Sequence, residues 1–207
     1  MMQVRRATLD DCAFVSAIIL EAETSGAEIT SYERMFGLGR QELSGAFEKA
    51  LPASPAGHAL TWQTFFIAEE NGVPAAGLSA YVEGSNGDSS HLTTAVLMTA
   101  FPRAAVSAAF RFLRQHADVS VPKGNGTLQL DCVATLPAYR GKGALRLLIS
   151  AALEFGKNEG AKEAQIQVWK KNEGAIAAYE RLGFTISEER LSAVEPGNGK
   201  VVMTKSI

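Results

Sequence analysis

Residues 138–148, AYRGKGALRLL, set Gly141 and Gly143 among the basic residues Arg140, Lys142 and Arg146, where a run of β-type residues gives way to a helical one. A strand that ends in a glycine turn and feeds a helix exposes backbone N–H groups, and the helix dipole adds partial positive charge there. Such a turn suits an anion, phosphate above all. The glycines let backbone approach the anion closely, and the neighbouring cations add charge around it. A tight connection with solvated charges is the plainer explanation of a lone GxG. The P-loop pattern is absent, because Lys142 is followed by Gly143 and Ala144 and no hydroxyl is placed for a magnesium ion; GxGxxG is absent too.

The elements that must position this turn are legible from periodicity. MQVRRAT alternates like an edge strand, and Leu9 to about Ala22 reads as a helix capped by Thr8 or Asp10. A second helical stretch runs from Ser31 to Ala50. TFFIAEENGVPAAGLSAYV predicts a hairpin through Asn71 and Gly72, residues that tolerate positive φ. Residues 91–118 read as helical with a break at Pro102. Then TLQLDCVATL is a strand, 145–159 a helix, AKEAQIQVW a strand, and 173–182 a helix capped by Asn172 and stopped by Gly183. Two strand–helix units in succession imply parallel strands with crossover helices. FTISEERLS and KVVMTKSI, separated by PGNG, close the chain as an antiparallel pair.

Composition bounds the class. The chain has 207 residues, 46% hydrophobic and 20% charged, enough for one substantial core, so residues 1–207 are expected to form a single domain with a helical insertion at about 86–123. With a formal net charge of -2 and no basic tract, neither nucleic acid nor a membrane is an expected partner. Cys12 and Cys132 have no CxxC partner, and His58, His91 and His116 stand far apart, so no disulfide framework or metal site is signalled and a cytoplasmic location suits the chain. AFVSAIIL is too short to span a bilayer and is flanked by acids, which favours an amphipathic first helix over a signal peptide.

Two motifs together resemble a known family. VATLPAYRGKGALRLLISAALEFGKNEGAK looks like the acetyl-CoA-binding motif of the GCN5-related N-acetyltransferases (GNAT), and NEGAIAAYERLGF, residues 172–184, is similar to the pattern of that family's last helix. The resemblance implies a mixed α/β (α+β) acyl-CoA N-acyltransferase fold: a central, mostly antiparallel sheet splayed at two parallel strands and flanked by helices. It implies acetyl-CoA as co-substrate and no metal. The phosphate signature falls on Arg140, Gly141, Lys142, Gly143, Ala144 and Leu145, the last a departure from the family's small residue. Val133, Ala134 and Thr135 would pair through their backbone with the pantetheine arm, as an added strand does. Asn172 would touch the same arm and cap its helix.

The implied reaction is transfer of an acetyl group from a thioester to a primary amine, with a backbone N–H at Val133 or Ala134 stabilising the oxyanion. Tyr179 takes the place of the family's acid; packing beside Ala175, Ile176 and Leu182 also explains it. Positions where relatives often carry a glutamate hold Gln129 and Gln167, and Asp131, on the strand face of Gln129, is either the base or a structural carboxylate. Tyr32, Arg34, Phe36 and Arg40 are candidates for shaping an acceptor pocket. A small-molecule amine and a peptide or protein N-terminus are both open as acceptors, as is a homodimer. A non-catalytic acyl-CoA-binding or regulatory domain is the alternative, and a phosphate- or nucleotide-binding module unrelated to CoA is disfavoured by the second motif.

Overall fold

A computed structural model describes residues 2–24 and 29–207. Seven strands, β1 (Met2–Arg6), β2 (Phe65–Glu70), β3 (Val73–Val82), β4 (Leu128–Thr135), β5 (Glu163–Trp169), β6 (Thr185–Leu191) and β7 (Gly199–Ser206), form one sheet in the order β1-β2-β3-β4-β5-β7-β6. Every pairing is antiparallel except β4 with β5. Asn71 and Gly72 turn the β2–β3 hairpin at φ +54° and +80°, the backbone that a tight hairpin demands. The mixed sheet flanked by helices has the architecture expected from the sequence.

The helices are α1 (Cys12–Thr24), α2 (Ser31–Phe36), α3 (Arg40–Ala50), α4 (Ser89–Ala100), α5 (Arg103–Gln115), α6 (Ala144–Asn158) and α7 (Glu173–Glu180). A 3-10 turn, Leu9–Asp11, precedes α1, and Asp11 accepts from the Thr8 backbone N–H at 2.7 Å. Arg5 holds the same carboxylate through two bonds of 2.7 and 2.8 Å and reaches Glu69 at 2.7 Å, which joins β1, β2 and the start of α1. Hydrogen bonding from Arg5 keeps the Asp11 carboxyl down at about 2. The stretch Ser31–Ala50 is two helices rather than one. Gly37, at φ +64°, closes α2 with a left-handed cap, a backbone that glycine adopts without steric cost.

Two apolar cores lie on the two faces of the sheet. Leu148, Ile149 and Ala152 of α6 pack on Leu78, Leu128 and Met203, while Ile18, Ile19, Leu43 and Phe47 of α1 and α3 pack on Phe65 and Ile67. Each fully buried Leu, Ile or Phe contributes roughly 1.5–3 kcal/mol. The α4–α5 pair, inserted between β3 and β4, joins the second core through the break before Pro102. There Phe101 stacks on Phe36 at 4.4 Å and meets Phe47 edge-on at 5.3 Å.

The sheet opens at its centre. β4 pairs with β5 only where Leu128, Gln129 and Leu130 face Ala164, Gln165 and Ile166. Beyond Leu130, β4 continues along β3 and β5 along β7. The register of β3 on β4 shifts between Gly77 and Ser79, and Cys132 stands at φ +50°, the mark of a bulge that bends the strand. The edge of β4 that faces β5 is therefore without a strand partner from Asp131 onward.

At the far side, Gly199 pairs with Leu191, and a Cβ on Gly199 would fall 2.1 Å from the Arg190 carbonyl oxygen. Gly199→Ala is expected to force β6 from β7 and to cost about 1–3 kcal/mol, the range typical of overpacking. The check is the urea midpoint, which should fall; an unchanged midpoint would show that the pair has slack.

Candidate active site

From Val133 the chain runs along the unpaired edge of β4, turns through Leu136–Gly143 and enters α6. Gly141 and Gly143 take φ +76° and +85°, and a Cβ on either would meet nothing within 4 Å. Space in front of them is open, so packing does not account for the glycines. No side chain caps the start of α6, which leaves its first amides without side-chain acceptors. A groove of about 420 Å³ runs from this end past Val133, Ala134, Thr135, Arg140 and Leu145 to Asn172 and Tyr179. Gly141, Lys142, Gly143 and Ala144 form the loop and helix start beyond its lining.

The loop cations are engaged by carboxylates. Arg140 meets Glu21 at 2.9 Å and donates to the Thr135 carbonyl at 3.2 Å, while Lys142 meets Glu70 at 2.7 Å. Leu145 is half-buried beside the α6 core, so its isobutyl group finds room. Asn172 Oδ1 accepts from the Ala175 N–H at 3.2 Å, capping α7 while the residue also lines the groove.

A second cavity, of about 510 Å³, adjoins the first, and Val133, Asn172, Ala175 and Tyr179 line both. Tyr179 is buried edge-on to Phe184, and among the described residues its hydroxyl has no hydrogen-bond partner. Burial pushes that hydroxyl well above the usual tyrosine range, so it keeps its proton. Phe112, Leu113 and His116 of α5 and its end supply one wall, which gives the α4–α5 pair a place at the cavity as well as in the core.

Among the residues singled out from the sequence as acceptor contacts, Tyr32 lines this cavity, whereas Phe36 lies in the core. Arg34 pairs with Glu195 at 2.8 Å and Arg40 with Glu21 at 3.2 Å. Gln129 donates to Gln165 Oε1 at 3.0 Å across the parallel strands; Gln167 lines the cavity and donates to the Val121 carbonyl at 3.4 Å.

Asp131 also faces the cavity. It accepts from the Tyr81 hydroxyl at 2.7 Å and from Lys123 Nζ at 2.9 Å. Burial pushes its carboxyl up, but attraction to Lys123 and the two hydrogen bonds outweigh burial and hold it below the usual aspartate range. Glu23, at the end of α1, differs: it accepts from the Ser31 hydroxyl, and burial raises its carboxyl above the usual range. Glu23, Lys123 and Lys200 went unnoticed in the sequence, where they read as ordinary surface charges. Among the described residues no group of three or more His, Cys, Asp or Glu side chains is arranged to hold a metal ion, and no helix is long and apolar enough to cross a membrane.

A profile of the Acetyltransferase (GNAT) family matches residues 38–184, and the chain belongs to that family. A mycothiol acetyltransferase of Corynebacterium efficiens is 33% identical over 82 residues, which are 40% of this chain and 25% of that protein. This chain thus spans a quarter of that relative's length. An N-acetyltransferase of Staphylococcus aureus Mu50 superposes with a TM-score of 0.72 at 16% identity, over 98% of this chain and 100% of that one. The yncA acetyltransferase of Salmonella typhimurium, solved with its cofactor acetyl-CoA, superposes with a TM-score of 0.55 at 18% identity, over 99% of this chain and 93% of that one. At these identities the two structures are likenesses of fold.

Asp131→Asn leaves Lys123 without its counter-charge and is expected to cost about 1–3 kcal/mol at neutral pH. Because the folded carboxyl lies below its unfolded value of about 3.9, the contribution is present above that pH and is lost as pH falls through the folded value. Urea titrations of both proteins should therefore differ at pH 7 and converge in acid. A gap that persists in acid would mean that the charge is not what the pair contributes.

Proposed function

We propose that this chain transfers the acetyl group of acetyl-CoA to a primary amine. The observation that carries the reading is the junction of the two cavities at Val133 and Tyr179, one leading to uncapped helix amides and the other to half-buried carboxylates. The groove fits the long donor: the open backbone at Gly141 and Gly143 and the first amides of α6 suit its pyrophosphate, with Lys142 and Ala144 flanking them. The unpaired edge of β4 at Val133, Ala134 and Thr135 suits the amide-bearing arm. Arg140, Leu145 and Asn172 complete the lining. The acetyl-CoA present in a neighbour of the same fold supports the assignment.

In this reading a neutral amine entering from the larger cavity attacks the thioester carbonyl carbon. Negative charge develops on the carbonyl oxygen, where a backbone N–H at Val133 or Ala134 stabilises it. Collapse breaks the carbon–sulfur bond, and Tyr179 donates its proton to the leaving sulfur. The amine nitrogen loses one proton. Glu23 is the better acceptor for it, since burial raises its affinity for a proton and Lys123 lowers that of Asp131. Asp131 then serves to hold Tyr81 and Lys123 against β4.

Coenzyme A at about 100 times its dissociation constant is expected to stabilise the fold by about 2.7 kcal/mol, seen as a raised melting temperature. Gly143→Glu places a side chain and a negative charge in the open space before the loop, so the shift should vanish while the protein remains folded. An unaltered shift would place the pyrophosphate elsewhere.

Tyr179→Phe keeps the ring and its contact with Phe184 but removes the proton. We expect kcat for thiol release with the best amine found to fall by about 10² or more, with the coenzyme A shift retained. Near-normal turnover would reduce Tyr179 to packing. Binding of coenzyme A with no turnover of any amine would instead favour a non-catalytic acyl-CoA-binding domain.

A further inference from the structure

Lys200, on β7 opposite Trp169, is half-buried and lines the larger cavity. Its Nζ lies 5.4 Å over the Trp169 ring, and among the described residues it has neither a hydrogen-bond acceptor nor an ion-pair partner. The neighbouring cations are matched: Lys123 meets Asp131 at 2.9 Å, and Arg34 meets Glu195 at 2.8 Å. Burial lowers the affinity of Lys200 for its proton, and the more distant carboxylates of Glu23 and Asp131 offset this in part. The ammonium stands over an aromatic face at the cavity wall with no acceptor beside it, and an anionic ligand entering the cavity would give it a direct partner.

The rest of the cavity limits what carries the anion. Met35, Phe112, Leu113 and Val119 form an apolar patch in a lining of mixed polarity, and Glu23 supplies an acidic pole in the same cavity. One pole of each sign in one cavity matches a ligand with an ammonium and a carboxylate on a short frame. A peptide N-terminus presents the ammonium but replaces the adjacent carboxylate by an uncharged amide, which leaves Lys200 unfilled. A simple amine does the same.

We propose that the acceptor is a free amino acid with an apolar side chain, its carboxylate on Lys200 Nζ and its amino group directed toward the Val133–Tyr179 junction. This rests on the acetyl-transfer reading above. Lys200 is then a specificity-determining residue: it distinguishes an amino acid from the amine lacking only the carboxylate. A site built to pair a polar group rejects the analogue without it, because the partner is left unfilled.

The test uses acetyl-CoA with L-phenylalanine against 2-phenylethylamine, L-leucine against 3-methylbutylamine, and L-phenylalaninamide as the peptide-like probe, followed by thiol release and product mass. The wild-type chain should show kcat/KM at least about 100-fold higher for each amino acid than for its decarboxylated partner and for the amide, a difference of about 2.7 kcal/mol. Lys200→Met should bring that ratio close to one, mainly through KM, whereas Lys200→Arg should keep most of it. Retention of the coenzyme A thermal shift in both variants verifies that they fold. Equal or better use of the amines or the amide by the wild type overturns the proposal, as does an undiminished ratio in Lys200→Met. A chain that binds coenzyme A but neither acetylates the amino acids nor is thermally stabilised by them also overturns it. Absence of any coenzyme A shift removes the acetyl-transfer reading itself.

Discussion

The parting of β4 from β5 after three paired residues is the constraint on which the site depends. Parallel strands ordinarily pair along their length, because an unpaired backbone N–H or carbonyl removed from water is costly. Here Cys132, in the left-handed region, bends β4 away just past Leu130. The cost is met at one edge by β3 and leaves the other edge available to an extended ligand. Both cavities open at this bend, since their shared residues are Val133 on β4, Ala22 on α1, and Asn172, Ala175 and Tyr179 at and within α7, the helix that follows β5.

Around the opening, neighbouring side chains of like charge are put to different use by what touches them. Asp131 and Glu23 face one cavity, yet the first is paired with Lys123 from the loop before β4 and the second accepts from a serine hydroxyl. Cys132 lies beside them with its thiol pushed up by burial and by both carboxylates, so it remains protonated and a poor nucleophile. Charge in the cavity is thus set by α1, the 121–127 loop and β7 together with Asp131 of the strand that carries the bend.

Local features were the legible ones. The glycines of the α6 loop, the Asn172 cap and the Asn71–Gly72 turn each act within a few residues, and all three stand where the sequence puts them. The break at Gly37 was equally local: Thr30 and Glu33 bond each other's backbone at the start of α2, and glycine ends it one turn later. The 3.6-residue periodicity of the surrounding stretch concealed it. The partners of Asp131 were not legible, because Tyr81 lies 50 residues away and Lys123 sits in an irregular loop. Lys200 and Glu23 became distinct from other surface charges only when the fold enclosed them.

The two cavities have different walls, the groove ending at the α6 loop and the larger space at α5 and β7, and they touch where Ala22, Val133, Asn172, Ala175 and Tyr179 line both. Ligands occupying them would not compete for the same volume, and with the Cys132 thiol held protonated no side chain among the described residues at the junction is poised to carry the acyl group between separate visits. Donor and acceptor would therefore have to be resident together, so that the chemistry proceeds through a complex of three components and neither product need depart before the second substrate arrives.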